Sequence, residues 1–275
     1  MNERDRLQQV QSHLQLAPRV LYLEGVSDVE LFFALLGVER PASGIHDEVY
    51  VCGLESGGSG AKGVRACVAV AQKNGLNGVY GVIDGDGRDL ATLKAEFEHP
   101  FPGPLFSWKA YCIENMAAKA AWPASWGTFP SFNEYAPYVA FNRVQRELHG
   151  VLRATDFTTY TAPRANQPLD GEASLRELLA TRMTQVSAVD TTARYDDELA
   201  VYRDAVTASE EEAHTLFNGK WLVEHHACEV TKRSKAACRA EWVSEIRYAG
   251  GLTEVRDWWQ RVVTVLLRPQ DGGEP

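Results

Sequence analysis

The sequence predicts an α/β protein: a mainly parallel sheet flanked by helices, with a helical insertion and a helical C-terminal part. Three observations lead there. Short apolar, β-branched runs alternate with helix-period segments over residues 19–120, the pattern of β-α-β units. Residues 78–83 are apolar throughout, as in a strand buried on both faces. From about residue 133 to the end the apolar spacing is helical.

The elements follow in order. Residues 2–16 form a short amphipathic helix and 19–23 a strand. Glu24-Gly25 ends that strand, and Ser27 or Asp28 caps a helix running to about Leu36. Residues 48–52 are a second strand. A glycine-rich loop, 53–63, carries Glu55 and Lys62 and enters an Ala/Val-rich helix, 64–73. Leu76-Asn77-Gly78 turns into the third strand, and 90–98 is helical. After a proline-rich break, 105–113 reads as a fourth strand ending in Glu114-Asn115, with a helix from 116 to 121. A Trp/Pro loop, 122–130, precedes helices that break near 156–170 and again at Gly219-Lys220. Helical runs at 221–230, 235–247 and 252–267 close the chain before a polar tail expected to be disordered. The expected organisation is an α/β core at 1–120, a helical insertion at 121–217, a part completing the core at 218–268, and a tail at 269–275.

Composition limits the function classes. Hydrophobic residues make 45% and charged residues 24%, as in globular proteins. No apolar run approaches the roughly 20 residues of a membrane span, and residues 1–15 are polar, so a cytoplasmic protein is expected. The five cysteines lack metal-type spacing and are read as free thiols. His225 and His226 are adjacent, which does not aim two helical side chains at one zinc ion. A net charge of −9 argues against a nucleic-acid coat protein but leaves room for a carboxylate-rich catalytic centre.

The stretch that carries chemistry is Asp84-Gly85-Asp86-Gly87-Arg88. On an extended chain, residues i and i+2 point the same way, so Asp84 and Asp86 are expected to converge. Acids at the C-terminal end of a buried parallel strand lie where open α/β sheets bind ligands. Paired carboxylates repel until a cation neutralises them, and hard oxygen donors suit Mg²⁺ or Mn²⁺. The alternative is a tight Asp/Gly surface turn. An EF-hand is excluded, because Arg88 falls on a ligand position. The 53–63 loop lacks the Gly-Lys-Ser/Thr ending of a P-loop, since Lys62 precedes Gly63-Val64. It is read as a substrate-facing loop or a plain connector.

Four spaced features then carry a resemblance: Leu23-Glu24-Gly25-Val26-Ser27-Asp28, Asp84-Gly85-Asp86, Ile113-Glu114-Asn115 and Asn218-Gly219-Lys220. Together they resemble the TOPRIM fold shared by type II topoisomerases, primases and OLD-type nucleases. The last two resemble the short TOPRIM nucleases related to the OLD family, some of which act beside an ABC-type ATPase in anti-phage systems such as PARIS. Topoisomerase-like members carry a third Asp where this chain has Arg88, which favours the OLD-type comparison. The resemblance implies a metal-dependent nuclease acting on DNA, RNA or tRNA, with a two-metal Mg²⁺ or Mn²⁺ site. It implies Glu24 as metal ligand or general base, Asp84, Asp86 and Glu114 as further ligands, and Lys220 as a cation facing the phosphate. Asp28, Lys62, Arg88 and Asn115 are the candidate substrate-binding residues.

Plainer roles stand beside these. Asp28 and Glu114 can cap helices, Asn115 can brace its turn, and Lys220 can be a surface lysine. Lys232, Arg233, Lys235 and Arg239 form a basic cluster, read as a solvated helix face or a nucleic-acid contact. The Trp258-Trp259 pair is read as core or as an interface anchor that would suit a homodimer. A non-catalytic module that docks an ATPase partner through its acids is the competing function.

Overall fold

The structure, a computed structural model, describes residues 2–55, 60–100, 104–151, 172–173, 176, 191–222 and 226–267. Two compact units emerge. One comprises Met1–Pro123 and Ala236–Pro275, and the other Ala124–Lys235. The stretch 218–235 thus groups by its contacts with the helices before it.

The first unit is built on a five-stranded sheet of order β2-β3-β1-β4-β5. Its strands are β1 (Arg19–Leu23), β2 (Ile45–His46), β3 (Val49–Gly53), β4 (Val79–Ile83) and β5 (Leu105–Ser107). β1 pairs in parallel with β3 on one side and with β4 on the other, and β4 pairs in parallel with β5. The short β2 is antiparallel to β3 and was not anticipated. It forms because Asp47 and Glu48 both take left-handed backbone conformations and close a two-residue hairpin, without the Asn-Gly or Asp-Gly pair that usually announces one.

Helices cover both faces, as the apolar strands require. α1 (Glu3–Leu16) and α3 (Ala61–Lys73) bury Val10, Val64, Cys67 and Val68 against Val20, Tyr22, Cys52, Val79 and Ile83. Arg6 of α1 donates to the Gly63 carbonyl at 2.7 Å and fixes α1 on α3. α2 (Val26–Leu35), α4 (Leu90–Glu98), α5 (Ile113–Ala120) and the C-terminal helices Lys235–Tyr248 and Thr253–Leu267 complete the unit. Trp258 and Trp259 are 0% and 1% exposed. Trp258 meets Phe32, Phe97, Phe106 and Trp108, and Trp259 donates to Asp47 Oδ2 at 2.8 Å. Both rings are consumed by the core of the unit, so the expected dimer anchor is not on its surface.

Three boundaries correct the sequence reading. β5 stops at Ser107 rather than running to 113. Helix α5 begins at Ile113, with Cys112 as its N-cap, so Glu114 and Asn115 lie in a first helical turn rather than at a strand end. α2 begins at Val26 behind Gly25, which places Asp28 at the third helical position instead of the cap.

In the second unit, helix Phe132–Val151 buries Tyr135, Ala136, Ala140, Phe141 and Val144 against Tyr195, Leu199 and Tyr202 of helix Thr191–Ala208, and against Ala213 and Phe217. His226 lies 3.0 Å from the Trp126 carbonyl and 3.3 Å from the Tyr135 hydroxyl. The expected break at 156–170, the tail from 268 and residues 56–59 of the glycine-rich loop lie outside the described residues. Among the described residues no helix is long and apolar enough to cross a membrane.

Under α1, His13 Nδ1 lies 2.9 Å from the Tyr22 hydroxyl and 3.7 Å from Cys52 Sγ, with Tyr50 edge-on to its ring. Burial holds its imidazole below the ordinary value, and burial raises Tyr22 and Cys52. The lowered value favours the neutral ring, hydrogen-bonded to the Tyr22 hydroxyl. Its proton binds more readily in the unfolded chain, so stability present at neutral pH is lost as the pH falls below about 6.5. Denaturant unfolding at pH 7.5 and 5.5 should show that loss in the native chain and a smaller one in His13→Gln.

Candidate metal centre at the carboxyl rim of the sheet

Strand order reverses between β1 and β4: from β1 the chain goes outward to β3, then crosses back to β4. Ligands of open α/β sheets bind beyond the carboxyl ends of the strands at such a reversal. The residues that follow those two strands are Glu24 and Asp84. They meet: the Asp84 amide donates to Glu24 Oε1 at 2.8 Å. Sixty residues apart in sequence, the two acids are neighbours because their strands are neighbours. Glu24 is partly exposed and Asp84 is 4% exposed.

Two glycines make the rim this tight. A Cβ on Gly85 would lie 2.2 Å from the Ala110 carbonyl oxygen, so the chain after β4 touches the segment entering α5. A Cβ on Gly53 would lie 2.1 Å from the Gly25 carbonyl oxygen, so the end of β3 presses on the start of α2. Asp86 takes a left-handed conformation and is exposed, and its amide donates to the Tyr111 carbonyl at 3.0 Å. The strand has ended at Ile83. The i, i+2 alternation expected to aim Asp84 and Asp86 together therefore does not apply across this turn.

Asp28, Glu114 and Asn115 are 4%, 2% and 0% exposed. Asp28 Oδ2 accepts from the Gly25 amide at 2.9 Å, which closes the start of α2. Asn115 Oδ1 accepts from the Cys112 amide and thiol at 3.2 and 3.1 Å. Asn115 is thus a brace of α5, with no surface to offer a substrate. Arg88 was also expected to face substrate, but its guanidinium is engaged below the turn. It donates to the carbonyls of Gly85 and Asp84, each at 3.0 Å, to Ser107 Oγ at 2.6 Å, and it pairs with Glu96. Lys62 is exposed on the first turn of α3. Lys220 belongs to the second unit, in the short helix Gly219–Leu222, where its amide donates to Asn218 Oδ1 at 3.0 Å.

The residue that sequence reasoning placed elsewhere is Arg239. Lys232, Arg233 and Lys235 are exposed, as a solvated face would be. Arg239 instead reaches Glu114 Oε1 at 3.3 Å, Asp28 Oδ1 at 3.6 Å and the Ser27 carbonyl at 3.1 Å. The available signal was its position beside Cys238 and three and four residues before Trp242 and Val243, all buried: an arginine on the apolar stripe of a helix needs an ion pair.

The donor chemistry at the rim, carboxylate oxygens from the ends of β1 and β4 and the first turns of α2 and α5, suits a hard divalent cation. Among the described residues, however, no group of three or more His, Cys, Asp and Glu side chains is arranged to hold a metal ion. Glu24 is turned to a backbone amide, and Glu114 and Asp28 face a guanidinium. No protein-family model matches the chain, and neither a curated protein nor a solved structure matches it.

Replacing Arg88 by Met leaves the Asp84 and Gly85 carbonyls, Ser107 and Glu96 without their donor. Arg88→Met should lower unfolding free energy by about 1–3 kcal/mol, read by urea denaturation, through loss of charged hydrogen bonds.

Proposed function

We propose that the protein is a divalent-metal-dependent nuclease that hydrolyses phosphodiesters of DNA or RNA, tRNA included. The observation that carries this reading is the contact of Glu24 with the Asp84 amide at the point where strand order reverses. The resemblance of the acid motifs to OLD-related TOPRIM nucleases supports it, and that resemblance also supports a role in anti-phage defence under an ABC-type ATPase partner.

In this reading Glu24, Asp84, Asp86 and Glu114 would hold Mg²⁺ or Mn²⁺, which would supply a nucleophilic water near neutral pH and neutralise the phosphate. The chain's own part is positional. The Gly85 turn, clamped by Arg88 and by its approach to residue 110, fixes Asp84 at the end of β4. Glu24, half-exposed, is the acid best placed to accept a proton from an incoming water. Lys220 enters on the resemblance alone, as a cation facing the transition-state phosphate. With a net charge of −9, grip on a polyanion comes from a local basic patch or from a partner.

A second reading, a non-catalytic module whose acids dock a partner, is favoured by one observation: two of the acids already face Arg239 rather than an open cation site. One experiment separates the two. Plasmid, single-stranded DNA and total tRNA are incubated with the protein and Mg²⁺ or Mn²⁺, with EDTA as the blank. The nuclease reading predicts metal-dependent cutting, reduced at least about 100-fold in Glu24→Ala and in Asp84→Ala. Cutting that survives in either folded variant contradicts it. No cutting of any substrate, with metal-independent binding of an ATPase partner, supports the docking module.

A further inference from the structure

We infer that Lys109 is a positioning residue for the Asp84 turn, acting through the connector 108–112, so that the C-terminal helix Thr253–Leu267 is part of that turn's support. Its effect on cutting rests on the nuclease reading above, whereas its effect on the turn does not.

Residues 108–112 belong to no strand or helix and link the end of β5 at Ser107 to the start of α5 at Ile113. One half of this connector grips the C-terminal helix. Trp108 packs on Trp258 with ring centroids 5.7 Å apart, and Lys109 Nζ meets Glu254 Oε2 at 2.6 Å. Glu254 and Trp258 are four residues apart, so they share one face of that helix. The connector also moulds the chain after β4. The Trp108 amide donates to the Ile83 carbonyl at 3.0 Å, just before Asp84. The Ala110 carbonyl oxygen lies 2.2 Å from where a Cβ on Gly85 would stand. The Tyr111 carbonyl accepts from the Asp86 amide at 3.0 Å.

Four consecutive residues thus tie one helix face to one turn, and Lys109 is the tie that can be cut alone. Trp108 is held by the core, at 2% exposed. The Lys109 and Glu254 side chains are 20% and 31% exposed, so solvent partly screens the pair and its loss leaves the fold standing. The Lys109 ammonium lies against Glu254 and 6.0 Å over the Phe97 ring, where it anchors the connector. Released, the connector relaxes, and the Ala110 and Tyr111 carbonyls pass that movement to Gly85 and Asp86. A displacement of about 1 Å at a reacting centre can cost about 100-fold in rate.

The test compares the full chain with Lys109→Met, Lys109→Arg, Glu254→Gln and the double variant Lys109→Met with Glu254→Gln. Cutting of plasmid, single-stranded DNA and total tRNA in Mn²⁺ is measured with melting temperature and hydrogen exchange of the Asp84 and Asp86 amides, both hydrogen-bonded in the native fold. Lys109→Met and Glu254→Gln should each lower kcat about tenfold or more, change KM by less than about twofold, and speed exchange at both amides. The double variant should be no worse than either single one, because all three remove one contact. Lys109→Arg keeps the charge and should keep most of the rate. A merely structural pair predicts a lower melting temperature with native kcat well below it. A lysine that touches substrate predicts a raised KM in Lys109→Met and native kinetics in Glu254→Gln. Either outcome overturns the inference. Should the native chain cut none of the three substrates, the nuclease reading falls and exchange alone decides. Faster exchange at the two amides then upholds the role of Lys109, and unchanged exchange in both single variants overturns it.

Discussion

The parallel pairing of β1 with β4 is the constraint on which the rest of the candidate site depends. It sets Val20 against Val79 and Tyr22 against Gly81, and so delivers Glu24 and Asp84 side by side just beyond the last paired residues. The pairing is available because β3 lies on the far side of β1, so the crossover through α3 has to return across β1 before β4 can add. Buried side chains on both faces enforce the register, since a slip of one residue would exchange the side chains packed against the two helical layers. Loss of that register would separate the acids whatever their identity.

Around that pair the rim is unusually committed. Asp28, Asp84 and Glu114 are nearly fully buried, which carboxylates tolerate only when hydrogen-bonded or paired. The Gly25 amide meets that requirement for Asp28, and the guanidinium of Arg239 meets it for Asp28 and Glu114. Removing one partner of a buried ion pair costs about 3–5 kcal/mol, whereas exchanging one cation for another need not.

The elements legible in the sequence were those where local pattern and tertiary role agree. The apolar run of β4, the helix-period runs of α1 and α4, and the Glu24-Gly25 end of β1 are each specified by neighbours in sequence. The reading failed where a local pattern served two purposes. Residues 108–112 are apolar enough for a strand, yet they leave the sheet to feed α5, and the clues were the Cys112…Asn115 cap and the Ile113, Met116, Ala117 helical spacing. Arg88 was read as facing substrate, but its guanidinium is drawn beneath the turn onto Asp84, Gly85 and Ser107. Arg239 was hidden because its partners lie 125 and 211 residues away, beyond the reach of any local pattern.

The most direct test of a cation site on this rim is a crystal structure of the chain grown with Mn²⁺, with data collected at the manganese edge. The account predicts an anomalous peak contacted by the Glu24 and Asp84 carboxylates. A map without manganese beside Glu24 and Asp84 would contradict it.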